Sequence, residues 1–182
     1  DGVNGRELWK SDGTSNGTVL VKDIRAGSDS VPEFLTAVDN VLFFRANDGT
    51  NGVELWKSDG TEAGTAMVKD IRAGAGSSQA SELTAFGGRL FFSGSDGTAT
   101  RLWKSDGTAA GTVPVVGSYD VSSPAELTVV GNTLFFTAYY RIGGLFSAAE
   151  LFKTGGTDAG TVLVKDIASG PASSSPGELT AM

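Results

Sequence analysis

A segment of eight residues recurs along the chain at almost constant spacing. The sequence Glu-Leu-Trp-Lys-Ser-Asp-Gly-Thr stands at positions 7–14 and again at positions 54–61. Positions 101–108 differ from it at one residue, and positions 150–157 are a more divergent copy. Successive copies are 47, 47 and 49 residues apart, measured between their aromatic residues. A fixed period of this length predicts a repeat architecture, and it constrains the fold more strongly than any local pattern.

Each period contains four short segments with the character of β-strands. In the second repeat they are residues 35–38, 41–44, 54–57 and 65–71. The continuous apolar run at 41–44 is typical of a strand that is buried on both faces. Asp39-Asn40, the two-residue link before it, suits a tight hairpin with positive φ at both positions. No segment has helical periodicity, so the sequence predicts an all-β fold.

Four antiparallel strands followed by one long link describe the blade of a β-propeller. In the second repeat the long link covers residues 72–81 and is rich in Gly, Ala and Ser. We therefore expect about four blades of four strands in a single domain over residues 1–182, or a segment of a larger propeller. An all-β solenoid is less favoured, because its coils usually repeat in about 20–30 residues. The repeats are approximately residues 1–47, 48–95, 96–139 and 140–182.

Within a blade the first strand is expected to line the central channel, and the fourth to form the outer edge. Lys22 and Asp23 on one outer strand recur as Lys69 and Asp70 on the next. Charges on an exposed edge discourage pairing with other chains.

The composition argues against several function classes. The net charge is −7, which disfavours binding to nucleic acid or to anionic lipid. The chain contains no His and no Cys, so Ser-His-Asp triads, Cys-His pairs and cysteine–histidine zinc sites are excluded. No apolar run approaches the ~20 residues of a membrane-spanning helix, and no charged-then-apolar leader opens the chain. We expect no membrane span and no cofactor.

The repeated residues resemble those of the ELWxxDGT family of bacterial surface and secreted proteins. In the second repeat the motif comprises Glu54-Leu55-Trp56, Asp59-Gly60-Thr61, Gly64-Thr65 and Val68-Lys69-Asp70-Ile71. The resemblance covers essentially the whole chain, and the third copy departs from it at Val116-Gly117-Ser118. It implies repeated propeller-like packing, an extracellular or cell-surface location, and no enzymatic activity or catalytic residue.

Each repeat keeps one aromatic residue in the same place, namely Trp9, Trp56, Trp103 and Phe152. Such side chains could be platforms on which sugars stack. We favour the interpretation that they form the core between blades, with each indole N–H bonded to backbone, because Phe152 substitutes for tryptophan at this position.

Asp12, Asp59 and Asp106 stand in Ser-Asp-Gly-Thr turns. A carboxylate in such a turn can accept the backbone N–H bonds of the turn itself, so we predict that these residues stabilise the turns. Calcium binding is the alternative, because residues 48–52 also offer oxygen ligands. The full ligand spacing of a calcium-binding loop is missing, however.

One segment departs from the repeat pattern before the fourth copy, over residues 139–146. We predict that it lengthens a loop, to which it adds aromatic side chains. Loops that do not belong to the scaffold often carry binding residues. Tyr139, Tyr140, Arg141 and Phe146 are therefore the candidate ligand-binding residues. The alternative is a tolerated insertion that packs on the rim.

The strand order also predicts an unfilled place in one sheet. Residues 7–24 supply a third and a fourth strand, and residues 179–182 would supply a first strand. A ring closed by these segments lacks a Leu-Phe-Phe second strand and leaves backbone groups unpaired. We therefore expect further blades or a second chain to complete the propeller.

Three function classes stay open. The favoured one is a non-catalytic binding or structural module whose partner is a protein or glycan at a surface. A lectin-like carbohydrate-binding propeller is the alternative. A glycoside-processing enzyme with paired carboxylates is the third. It is less favoured because most carboxylates recur from repeat to repeat, as scaffold residues do.

Overall fold

The protein is all-β in the computed structural model, which describes residues 1–142, 145–169 and 172–181. Of residues 142 and 145–148 only the backbone is described. No helix in these ranges is long and apolar enough to cross a membrane. The strands are β1 (Leu8–Lys10), β2 (Val19–Lys22), β3 (Glu33–Val38), β4 (Val41–Asn47), β5 (Val53–Ser58), β6 (Ala66–Lys69), β7 (Ser81–Phe86), β8 (Arg89–Ser95), β9 (Thr100–Ser105), β10 (Val113–Pro114), β11 (Val121–Val130), β12 (Thr133–Ile142), β13 (Leu145–Thr154) and β14 (Val162–Lys165).

The strands form four antiparallel sheets, each built from consecutive strands. Sheet I contains β1 and β2, sheet II β3 to β6, sheet III β7 to β10, and sheet IV β11 to β14. The second and third strands pair in the same register in sheets II to IV. The Leu-Phe-Phe residues always face the aromatic repeat residue in the same way, as in Phe44↔Trp56, Phe92↔Trp103 and Phe136↔Phe152. The prediction of short antiparallel strands in chain order is confirmed.

The two-residue hairpin links adopt the positive φ that the sequence predicted, though not at every position. Gly87 and Gly88 have φ of 59° and 69°, so both residues of this link lie in the left-handed region. In Asp39-Asn40 the first residue has φ of 51°. Two-residue hairpins need positive φ because their backbone twist must match that of the strands.

The apolar second strands are buried on both faces, as their unbroken hydrophobic runs predicted. Phe44 packs in the apolar cluster between sheets I and II, and Phe43 packs in the cluster between sheets II and III. Phe92 and Phe91 lie in the same way on the two faces of sheet III. Successive side chains of a strand point to opposite faces, so a run without alternation requires a neighbour on each side.

The sheets therefore stack face to face through three apolar clusters, one at each junction. Their first strands also approach one another. The hydroxyl Oγ1 of Thr36 on β3 donates to the carbonyl of Leu83 on β7 at 3.1 Å. Thr128 on β11 donates to the carbonyl of Leu179 at 3.2 Å, although residues 172–181 form no strand. The first strand predicted at residues 179–182 is thus wrong over the described part of that segment, whose path nevertheless follows β11.

A repeated positive φ occurs in the first strands of sheets II to IV and at the equivalent position of residues 172–181. Phe34, Glu82, Glu126 and Glu178 occupy equivalent positions and have φ between 55° and 57°. Positive φ is uncommon for residues other than glycine and costs free energy unless neighbouring contacts hold it. Glu82 and Glu126 each accept a backbone N–H of the following repeat, from Leu127 and Leu179, at 3.3 Å. These contacts join β7 to β11, and β11 to the segment that follows its path.

The lysines at the ends of β2 and β6 bond to the next sheet. Lys22 Nζ donates to the Thr65 carbonyl at 2.9 Å, and Lys69 Nζ donates to the Thr112 carbonyl at 2.8 Å. These lysines therefore connect neighbouring sheets through hydrogen bonds. From the sequence we expected them only to discourage pairing at an exposed edge.

Candidate functional site

A buried glutamate holds the long link that leaves three of the four sheets. Glu54 on β5 is fully buried, and its carboxylate accepts backbone N–H bonds from Ile71 at 3.1 Å and Ser78 at 2.9 Å. A buried carboxylate needs several donors to offset its lost hydration. The equivalent bonds join Glu7 to Ile24 and Ser30, and Glu150 to Ile167 and Ser174.

The pKa values of these carboxyls reflect the balance between burial and hydrogen bonding. Burial raises the pKa of Glu54, and hydrogen bonds from Ser78, Ile71 and Arg72 oppose the rise. At Glu150 burial also acts to raise the pKa, but hydrogen bonds led by those of Ser174 outweigh it, so the pKa lies below its ordinary value. The role of these glutamates as acceptors for the long link was not predicted from the sequence. Its signal was the glutamate at the start of three of the four repeated segments.

Sheet III lacks this anchor because Arg101 takes the place of the glutamate. A guanidinium only donates hydrogen bonds, so it cannot accept the N–H groups of the link. The link after β10 follows another path: β11 begins at Val121 and pairs with Tyr140 and Tyr139 on β12. One substitution in the repeat thus coincides with a rerouted link and a longer hairpin.

The rerouted link lies close against sheet IV at Gly117. A Cβ added there would lie 2.9 Å from both the carbonyl oxygen and Cγ2 of Thr161, so the approach requires glycine. The N–H of Ser118 donates to this carbonyl at 3.3 Å. In the preceding sheets the equivalent carbonyl accepts a lysine ammonium, so a backbone donor here replaces Lys22 and Lys69.

The result is a surface depression of about 450 Å³, which we name the Tyr119 groove, lined by Arg101 and residues 114–121. Tyr119 is 40% exposed. Its ring meets those of Tyr140 and Phe152 edge-on, with centroids 5.5 and 6.1 Å away. These buried rings hold one edge of Tyr119 while leaving part of its surface accessible.

Charged groups of both signs stand around the Tyr119 groove. Asp120 Oδ2 lies 3.5 Å from Arg141 Nε, and Arg101 Nη1 lies 3.2 Å from Asp96 Oδ2. The walls also include apolar Pro114. An aromatic ring beside apolar and charged groups suits a ligand that combines an apolar face with hydroxyl or amide groups.

The segment predicted as a lengthened loop is instead a strand extension, because residues on both sides of positions 143–144 continue the β12–β13 hairpin. Tyr140 is buried in the cluster between sheets III and IV, whereas Tyr139 is exposed. Arg141 reaches the border of the Tyr119 groove through Asp120. Phe146 pairs with Arg141 through the backbone of β13, and its side chain lies outside the described residues.

The repeated aromatic residues occupy two different environments. Trp56, Trp103 and Phe152 lie in the clusters between sheets, whereas Trp9 is 41% exposed. The indole N–H of Trp103 donates to the Gly94 carbonyl at 3.0 Å, and that of Trp56 has no partner among the described residues. The prediction of a core environment is therefore wrong for Trp9, which belongs to none of the three apolar clusters.

The aspartates of the Ser-Asp-Gly-Thr turns bond within their own turns. In each of Asp12, Asp59 and Asp106, Oδ1 accepts the backbone N–H and the hydroxyl of the threonine two residues later, at 2.7 to 2.9 Å. The hydroxyl bond, followed by the backbone bond, lowers the pKa of all three carboxyls. The carboxylate form is therefore the one that holds the turn.

The loop considered for calcium uses its carboxylate in the same way. Asp48 Oδ1 accepts the N–H groups of Thr50 and Asn51 at 2.8 Å, and Oδ2 accepts the Asn51 amide at 2.7 Å. Across residues 1–142, 145–169 and 172–181, no three Asp or Glu side chains group closely enough to hold a metal ion.

Comparison with known proteins yields no relative, since no family model, no curated protein and no solved structure matches the chain.

Proposed function

We propose that the chain is a non-catalytic binding or structural module of a bacterial extracellular or surface protein, built from propeller-like ELWxxDGT repeats. One observation carries the proposal: residues that depart from the repeat meet at the Tyr119 groove, while the repeated glutamates and the turn aspartates bond to the chain's own backbone. Repeated polar groups that already hydrogen-bond within the scaffold are not available to a ligand. The residues that differ between repeats are therefore the ones expected to bind it.

The propeller-like part of the proposal is supported by the order of the sheets. Each four-stranded sheet runs in chain order from its first strand to its fourth strand. The sheets stack through their faces, and hydrogen bonds such as Thr36 to Leu83 join their first strands. This arrangement is typical of blades around an axis.

The non-catalytic part is supported by the state of the carboxylates. Glu7, Glu54 and Glu150 accept backbone N–H bonds, and the turn aspartates bond to neighbouring threonines. A glycosidase needs one carboxyl with a raised pKa beside another carboxylate, both facing the substrate. Among the described residues the pKa is raised at Glu54, which is fully buried and faces backbone donors.

Carbohydrate binding is the second candidate, and Tyr119 favours it. An exposed aromatic ring packs against the apolar face of a sugar, and neighbouring charged groups can bond to hydroxyls. Asp120 and Arg101 provide such partners in the wall of the groove.

A glycan array followed by calorimetry with any bound glycan tests the groove. If the groove is the site, Tyr119→Ala weakens binding by about tenfold or more, because the stacked ring is lost. Tyr139→Ala is the matched control, since Tyr139 is an exposed tyrosine nearby that does not line the groove. Equal losses in both variants would place the ligand on the strand surface instead.

The same glycans separate binding from catalysis. Incubation with a bound glycan should release no reducing sugar above the level seen without protein. Hydrolysis that persists in Tyr119→Ala but disappears in a carboxylate variant would support the glycoside-processing alternative and contradict the proposal.

A further inference from the structure

The wall of the Tyr119 groove lacks the charges that the repeat carries at the same positions. The first two repeats have Lys-Asp-Ile-Arg at positions 22–25 and 69–72. At the equivalent positions 116–119 the third repeat has Val-Gly-Ser-Tyr, and these residues line the groove. Val116 is 66% exposed, so an apolar side chain meets water where the other two repeats have a lysine. This part of the wall therefore presents apolar and neutral polar groups instead of ions.

Two of the described residues in the wall are charged, and each has a counter-ion that lies outside the wall. Arg101 Nη1 lies 3.2 Å from Asp96 Oδ2, and Asp120 Oδ2 lies 3.5 Å from Arg141 Nε. Neither Asp96 nor Arg141 lines the groove. The charges of Arg101 and Asp120 also balance each other. The groove therefore offers a charged ligand no excess of the opposite charge.

The counter-ion of Arg101 is held in place by its own turn. Asp96 Oδ1 accepts the backbone N–H groups of Thr98 at 2.8 Å and of Ala99 at 3.2 Å, and Oδ2 accepts the Arg101 guanidinium. The hydroxyl and then the backbone N–H of Thr98 lower the pKa of Asp96 to about 2, so this carboxylate is ionised at neutral pH. A carboxylate of a ligand would have to compete with this fixed anion for Arg101.

Neutral hydrogen-bonding groups are present in the same wall. The hydroxyls of Ser118 and Tyr119 have no hydrogen-bond partner among the described residues. A hydroxyl can both donate and accept, as the hydroxyls of a sugar do. The ring of Tyr119 and the apolar side chains of Pro114 and Val116 provide a surface for the apolar face of a sugar. These groups suit a ligand with many hydroxyls and no charge.

We propose that the Tyr119 groove binds uncharged glycans and discriminates against acidic ones. This inference rests on the carbohydrate-binding form of the proposed function and specifies the class of its ligand. A carboxylate brought into the groove loses hydration without gaining an unpaired cation from the described wall, and it approaches the carboxylate of Asp120. The net charge of −7 adds a general repulsion of anions.

An array of matched pairs is the direct probe. It carries neutral oligosaccharides of glucose, galactose and mannose, each beside the same oligosaccharide with one hexuronic acid. We expect neutral members to bind the natural protein at least about tenfold more tightly than their acidic partners. An acidic member that binds equally well or better, and loses its binding in Tyr119→Ala, would overturn this inference and leave carbohydrate binding in place. If no member binds, carbohydrate binding and this inference both fail.

A variant of the counter-ion tests the cause of the discrimination. Asp96→Asn removes the charge beside Arg101 but keeps a side-chain oxygen that can accept the N–H of Thr98. The affinity for an acidic member relative to its neutral partner should rise by about tenfold, because Arg101 is then unpaired. Added salt should reduce this gain, since the charge of Arg101 is partly exposed.

Asp106→Asn is the matched control. Asp106 stands in an Asp-Gly-Thr turn of the same sheet, as Asp96 does, and its Oδ1 accepts the same two groups of the threonine. It neither lines the groove nor pairs with Arg101. The ratio of the two affinities should therefore stay unchanged in this variant. The same ratio in Asp96→Asn and in the natural protein, or an equal rise in both variants, would overturn the proposal.

Discussion

Identical repeat residues have different exposures in sheets that are covered and in sheets that end the described stack. Trp103 in sheet III is 4% exposed because sheet II packs on its ring, whereas Trp9 in sheet I is 41% exposed. The two tryptophans are flanked by the same Leu and Lys residues. Local sequence is therefore not what distinguishes them.

The opposite end of the stack shows the same contrast. Ile71 of sheet II is 7% exposed in the cluster with sheet III, and its equivalent Ile167 beyond sheet IV is 54% exposed. Val68 and Val164 differ in the same direction. Burial of a repeat residue depends on whether another sheet covers its face, so its contribution to stability should depend on position in the stack as well.

The largest effect is expected for the tryptophans. Trp103→Ala should lower the free energy of unfolding by about 3–5 kcal/mol, because it leaves a cavity between two sheets. Trp9→Ala should cost less than about 2 kcal/mol, because part of its ring already contacts water. Urea unfolding of both variants measures the difference. Equal losses would mean that another surface covers Trp9 in solution.

The isoleucines provide the matching test at the other end of the stack. Ile71→Ala should cost about 2–5 kcal/mol, as expected for a buried residue of this size. Ile167→Ala should cost under about 1 kcal/mol. Thermal or urea unfolding measures both. A large loss for Ile167→Ala would show that its face is covered, which would break the contrast between covered and terminal sheets.

The stability that the Ser-Asp-Gly-Thr turns contribute should be the same in covered and terminal sheets, because their hydrogen bonds are local. Asp106→Ala in a covered sheet and Asp12→Ala in sheet I each remove the same bonds to threonine. We expect small and equal decreases in Tm for the two variants, measured by circular dichroism. If only Asp106→Ala were destabilising, the aspartate would act by supporting the packing between sheets and not by stabilising its own turn.

Acid should weaken a loop of sheet III through Asp96. The hydroxyl and then the backbone N–H of Thr98 lower the pKa of this carboxyl from 3.8 to about 2. A lowered folded pKa means that the stabilisation is present above 3.8 and is lost as pH falls through about 2. Tm should therefore fall over this range more steeply in the natural protein than in Asp96→Asn. Parallel curves would show that Asp96 contributes nothing to the acid response.

Chelation should have the smallest effect. A metal bound only by the folded protein would stabilise it by mass action. The carboxylate of Asp48 is already used by Thr50 and Asn51, so we expect the same Tm with and without EDTA. A decrease of many degrees that calcium reverses would contradict this expectation and show that the loop binds a cation.

The sequence by itself determined the order of the strands and most of their positions, but not the strand extension at Tyr139 or the absence of a strand at residues 179–181. The period of 47 residues, the two-residue links and the unbroken apolar runs predicted four-stranded sheets whose second strands are covered on both faces. These features are local or periodic, and strand pairing in chain order follows from short links. The buried role of Glu54 was missed, although the glutamate recurs, because its partners Ile71 and Ser78 lie beyond the strand that follows.

Only the tertiary structure decided which copies are buried and where the departures from the repeat meet. Trp9 and Trp103 have the same neighbours in the sequence, and they differ in burial because a neighbouring sheet covers the ring of Trp103. Tyr140 was predicted in a binding loop, but the rerouted link beside Arg101 lets it pack in the core and brings Tyr119 to the surface. Burial and grooves arise between segments that are distant in the chain. The residue pattern of one segment therefore does not predict which other segment packs against it.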